Sequence, residues 1–81
     1  MKTITFYHSV ICPRCHMANL SLAQLLREFP DIKLDKVEFL TNGERAKADG
    51  IRSIPALVAG DQKLTSFYLT KGRIRRFLES V

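Results

Sequence analysis

The feature that most restricts this chain is a change of hydrophobic period within its first thirty positions. Thr3, Ile4, Thr5, Phe6 and Tyr7 are β-branched or aromatic and read as a strand. Beyond Cys12-Pro13, the apolar residues Ala18, Leu22, Leu25, Leu26 and Phe29 recur at helical spacing until Pro30 stops them. This predicts a helix over about 13–29. A second strand is predicted over 34–40, with Val37 and Phe39 on one face between Lys36 and Glu38. Strand, helix and strand in that order form a parallel pair joined by a right-handed crossover.

The remaining segments complete the pattern. Asn42-Gly43 punctuates the chain, and a short helix over about 44–49 ends at Gly50. Two short strands, 56–59 and 62–65, flank Gly60-Asp61 as a hairpin. Ile74, Phe77, Leu78 and Val81 fall on one face of a last helix with the arginines opposite. The predicted class is α/β, a four-stranded mixed sheet with three flanking helices in the order βαβαββα. With 81 residues there is room for a single domain, 1–81, and one modest core.

The net charge of +5 is concentrated near the end, at Lys71, Arg73, Arg75 and Arg76. A solvated helix face accounts for this cluster, and no nucleic-acid partner is expected. Arg75 and Arg76 are expected to meet the negative end of the helix dipole. No stretch is apolar for long enough to span a membrane, so no membrane partner is expected. The opening residues lack the apolar stretch and cleavage site of a secretory signal. The expected location is the cytoplasm.

The chain has two cysteines, Cys12 and Cys15. A reducing compartment would open them as a staple, and their spacing closes almost no loop. Their role is therefore expected to be chemical. Cys12 falls at the junction of strand and helix, with Pro13 suited to the first helical position. As the N-cap, its sulfur can accept from the N–H groups of Arg14 and Cys15, which lack helical partners. The helix dipole and the Arg14 charge add to the preference for thiolate over thiol. Cys15, one turn in and on the side facing Cys12, is placed as a sheltered resolving thiol.

Other readings of these residues stand beside this one. Cys12-x-x-Cys15-His16 formally matches c-type haem attachment, which requires export and a largely helical pocket. A zinc site could recruit His8 and His16, although Cys15 and His16 diverge by about 100° on a helix. No metal is expected. A pair of inert core thiols is the bland alternative. His8 reads either as a surface histidine or as an aid to proton transfer.

With Cys12-Pro13-Arg14-Cys15 between strand and helix, and Gly50-Ile51-Arg52-Ser53-Ile54-Pro55-Ala56-Leu57-Val58 later, the whole chain resembles the thioredoxin/glutaredoxin family. The short layout resembles glutaredoxins more than thioredoxins. The resemblance implies a thioredoxin-like fold and a cis bond before Pro55. It also implies that the backbone of Ile54 pairs with an extended substrate. By the same resemblance, Cys12 and Cys15 are catalytic, and Arg14, Ile54 and Pro55 contact substrate. The implied function is thiol–disulfide oxidoreductase: an enzyme of electron transport and cell redox homeostasis that reduces disulfide-containing proteins. No cofactor is implied, and the electron donor would be glutathione or a thioredoxin-type reductase.

Three positions and one segment depart from the family patterns. Arg14 replaces an aromatic, Ser9 a basic residue, and Phe6 the buried acid of thioredoxins. Phe67-Tyr68-Leu69-Thr70-Lys71-Gly72 stands where glutaredoxins carry a Gly-Gly-acidic glutathione segment. Glutathione handling is therefore expected to be weak, with Arg14, Arg52 and Lys71 as the available cations. The alternative function is a thioredoxin-like interaction or dimerisation module with little redox turnover, joined through a sheet edge or through Phe67 and Tyr68.

Overall fold

A computed structural model of the chain describes residues 2–65 and 70–81. Strand β1 is Lys2–His8, helix α1 Pro13–Leu25 and strand β2 Ile32–Glu38. Helix α2 (Gly43–Ala48), strands β3 (Ala56–Ala59) and β4 (Gln62–Thr65), and helix α3 (Lys71–Ser80) follow. The four strands form one mixed sheet in the order β2-β1-β3-β4. β1 and β2 are parallel from Lys2↔Ile32 to His8↔Glu38. β1 and β3 are antiparallel (Thr5↔Val58, Phe6↔Leu57, Tyr7↔Ala56), and Gly60, at φ +60°, turns β3 into the antiparallel β4. The predicted order of elements is the observed one.

Side-chain alternation divides the core between the two faces of the sheet. Ile4 and Phe6 of β1 meet Ala18, Leu22 and Leu25 of α1, Leu57 of β3, and Ile74, Phe77 and Leu78 of α3. On the opposite face Tyr7, Val37, Ala56 and Val58 meet Ala46 of α2 and Ile51, with Phe39 and Ile54 packed at the margin. The Tyr7 hydroxyl donates to the Arg45 carbonyl (3.2 Å) and to the Asp49 carboxylate. Arg45 in turn pairs with Asp35 of β2 at 2.6 Å. These bonds pin α2 to the sheet. Both edge strands carry exposed lysines, Lys33 and Lys36 on β2 and Lys63 on β4, which discourages pairing with another sheet.

Three local expectations are corrected. Helix α1 stops at Leu25 instead of reaching 29, and a 3-10 turn, Leu26–Glu28, follows it. Phe29 precedes Pro30 and is driven out of the helical region, at φ −128° and ψ 70°. β2 begins and ends two residues earlier than the predicted 34–40, because Asp31 anchors its start to Lys2 and Glu38 bends the chain at its end. The Glu38 carboxylate accepts from the backbone N–H of Leu40 (2.6 Å) and of Val10 (3.2 Å). Finally, the last turn of α3 contains no basic residue, so Arg75 and Arg76 do not serve its C-terminal dipole. Arg75 grips Glu28 through two parallel bonds of 2.9 Å and ties α3 to the turn after α1.

Candidate active site

The first turn of α1 is built as a cap around sulfur. Cys12 has extended backbone angles (φ −106°, ψ 106°), and Pro13 takes the first helical position. The Cys15 backbone N–H donates to Cys12 Sγ at 3.2 Å, while the Cys12 carbonyl accepts the first helical bond from His16 at 3.2 Å. Of the two N–H groups expected to meet this sulfur, that of Cys15 does so, and the sulfur sits at the positive end of the helix dipole. Cys12 is half-buried and Cys15 is buried at 2% exposure, and both are free thiols.

Cys15 belongs to the apolar stripe Cys15, Ala18, Leu22, Leu25 that α1 turns toward the sheet. Burial first, and then the hydrogen bond it shares with Cys12 sulfur, push its thiol up to about 12. The Ser9 backbone and the Arg14 charge pull the other way. The pair is thus asymmetric, with an accessible sulfur at the helix cap and a sheltered sulfur that holds its proton.

Two residues to which the sequence reading gave no role at the site, Ser9 of the β1–α1 loop and Lys36 of β2, lie beside the thiols. Ser9 is buried at 4% exposure, and its carbonyl accepts from the Cys12 N–H at 3.1 Å. Beside it lies a cleft of about 260 Å³ lined by His8, Ser9, Val10, Cys12, Cys15, His16, Asn19 and Lys36. Lys36 is opposite Phe6 in the parallel register, so it shares the α1 face of the sheet. A signal for it existed: Ile32 and Leu34 set that face as apolar, and Lys36 breaks the alternation. His8 is half-buried, with its ring stacked on Phe6 at a centroid distance of 5.4 Å.

The predicted substrate residues fall at the same end of the sheet. The Ile54–Pro55 peptide bond is cis, and Pro55 is fully buried just before β3. Pro55 directly precedes Ala56, the β3 residue opposite Tyr7, and β1 ends one residue beyond Tyr7 at His8 before the Cys12 loop. Ile54 is half-buried. Arg14 is on the first turn of α1 with the thiols. Arg52 and Lys71 are not brought to the cysteines' cleft. Arg52 lines a separate cleft with Phe39, Ala46, Lys47 and Ile51, and the Lys71 ammonium donates to Gln24 at the far end of α1 (2.8 Å). Phe67, Tyr68 and Leu69 lie outside the described residues. Among the described residues, no group of three or more His, Cys, Asp or Glu side chains could hold a metal ion. Among the same described residues, no helix is long and apolar enough to cross a membrane.

No family model and no curated sequence matches the chain. Solved structures do resemble it. Mitochondrial thioredoxin 3 from Saccharomyces cerevisiae, in its oxidized form, superposes with a TM-score of 0.84 at 18% identity, covering 99% of this chain and 78% of that one. Thioredoxin from Trypanosoma brucei brucei gives 0.81 at 20% identity over 99% and 74%. Thioredoxin O2 from Arabidopsis thaliana, in the oxidized state, gives 0.78 at 17% identity over 100% and 75%. The chain has a thioredoxin-like fold.

Proposed function

We propose that this thioredoxin-like chain is a thiol–disulfide oxidoreductase that reduces disulfides in other proteins. The observation that carries the reading is the asymmetry of the two thiols: Cys12 sulfur caps α1 and accepts the Cys15 N–H, while Cys15 is buried on the helix's apolar stripe. The attacking species in disulfide exchange must be reached by the substrate, and of the two sulfurs the one at the cap is the accessible one. Cys12 attacks a substrate disulfide, one substrate sulfur leaves as a thiol, and a mixed disulfide forms. Cys15 then attacks Cys12 Sγ, which releases the second substrate thiol and leaves a Cys12–Cys15 disulfide. Two electrons pass from the dithiol to the substrate.

In this reading Arg14 supplies positive charge beside the exchanging sulfurs. Ile54, with Pro55 behind it, offers backbone to an extended substrate segment. A thioredoxin-type reductase is the favoured electron donor over glutathione, because Lys71 is committed to Gln24 and Arg52 lines another cleft. The cytoplasm, where thiols are kept reduced, is the proposed compartment. Insulin reduction with dithiothreitol as donor tests the activity. Turnover by the wild type and none by Cys12→Ser supports it. Equal rates in the two would leave the alternative of an interaction module.

A further inference from the structure

We propose that His8 accepts the Cys15 proton in the resolving step, through the cleft that the ends of β1 and β2 share with the first turns of α1. The inference rests on the oxidoreductase reading above and deepens it by assigning the proton. Resolution needs Cys15 as a thiolate, yet Cys15 is buried at 2% exposure. Burial holds its proton on up to about 12, so few molecules present the thiolate at neutral pH without a base. The strand beneath the thiols supplies Phe6 in place of a carboxylate, and the cleft lining contains no acidic side chain.

Among the described residues that line the cleft, the imidazoles able to accept a proton are those of His8 and His16. His8 has a fixed place. It is half-buried, its ring lies on Phe6 with planes 23° apart, and it lines the cleft together with Cys15. His16 is exposed and leaves α1 about 100° around from its neighbour Cys15. The cleft volume of about 260 Å³ accommodates several waters, at about 30 Å³ each, so one can carry the proton between sulfur and ring.

The charged and titratable groups facing His8 are consistent with this role. From β2 come Lys36 and Glu38, from α1 come His16 and Cys15, and from its N-cap comes Cys12; β3 (Ala56–Ala59) contains no titratable side chain. Glu38 is occupied by the N–H groups of Val10 and Leu40. Lys36 lines the same cleft as Cys15 and brings a basic side chain to it from β2. In the balanced step, the Cys15 S–H proton moves to the His8 imidazole and the new Cys15–Cys12 S–S bond displaces the substrate thiolate. The imidazolium then returns the proton to that thiolate or to water.

The test follows thionitrobenzoate release from Ellman's reagent by stopped flow, across pH 5–9. The first equivalent reports attack by Cys12 and the second reports resolution by Cys15. In His8→Gln the second phase is expected to slow about 100-fold at neutral pH, the low end of what a positioned base supplies, and to lose its histidine-range pH dependence. The first phase should hold within about twofold, and His16→Gln should resemble the wild type. In His8→Ala, added imidazole should restore the second phase, which a merely structural role would not allow. An unchanged second phase in His8→Gln, or an equal loss in His16→Gln, overturns the proposal while leaving the oxidoreductase reading intact. A wild type whose second phase is absent, as in Cys15→Ser, overturns both.

Discussion

At the scale of the residue, Cys15 shows how one position serves packing and chemistry together. It repeats the spacing of Ala18, Leu22 and Leu25, so the helix that builds the core also buries the thiol. Iodoacetamide at neutral pH should therefore label Cys12 well before Cys15, as peptide mass mapping would show. Cys12→Ser should abolish disulfide reduction, whereas Cys15→Ser should accumulate a mixed disulfide visible on non-reducing gels. Faster labelling of Cys15 would reverse the roles.

Tyr7, on the other face, binds its proton more tightly for similar reasons. Burial first, and then the bond to the Asp49 carboxylate, raises its phenol to about 12. For both Cys15 and Tyr7 the folded value lies above the unfolded one, which is about 8.5 for a thiol and about 10 for a phenol. Their contribution to stability is complete below those unfolded values and is lost as pH rises toward about 12. Urea titrations should show the reduced protein weakening above about pH 9. The oxidised protein should weaken less there, because Cys15 then carries no proton. Tyr7→Phe should cost about 1.5 kcal/mol at neutral pH, the low end for a bond to a charged acceptor, and flatten the loss above pH 10.

At the scale of the element, α1 is held by its stripe more than by its ends. Leu22, fully buried, meets the sheet at the middle of that stripe. Leu22→Ala should cost about 3 kcal/mol by urea unfolding, with an unchanged denaturant slope. A loss below about 1 kcal/mol would mean that α1 is positioned mainly by the Arg75–Glu28 grip and the Lys71–Gln24 bond. The helix's C-terminal limit is set by Pro30, whose effect reaches back through Phe29. That effect was readable in principle, since apolar spacing continues to Phe29 while the backbone cannot.

At the scale of the whole molecule, the site exists because three separated segments meet at one end of the sheet. The parallel β1–β2 register delivers Lys36, the antiparallel β1–β3 register places Ala56 opposite Tyr7 with Pro55 just before it, and the loop after β1 delivers Ser9 and Cys12. Selectivity among substrates belongs to this scale. With Lys71 and Arg52 placed elsewhere, glutathione has few cations to meet its two carboxylates. A protein disulfide should be reduced at least as fast as a glutathionylated peptide by the same reduced protein, in side-by-side rate measurements. A strong preference for the glutathionylated peptide, lost in Arg52→Gln, would reverse that expectation.

The order of elements, the helix cap at Cys12 and the burial of Cys15 were legible in the sequence, because each follows from local period or from neighbours within one helical turn. Gly50 ending α2 was legible for the same reason: its φ of +72° is a backbone state that glycine adopts without penalty. The parts decided by tertiary structure are those that depend on register. Lys36 reads as an ordinary strand lysine until its pairing with Phe6 turns it toward the thiols, and His8, readable as a surface histidine or as an aid to proton transfer, is placed on Phe6 and on the cleft only by the assembled sheet. Arg75 reads as a helix-end cation until the packing of α3 on α1 brings Glu28 within reach. A one-residue slip of a strand would move each strand residue to the opposite face, so only the assembled sheet determines which polar groups face Cys15.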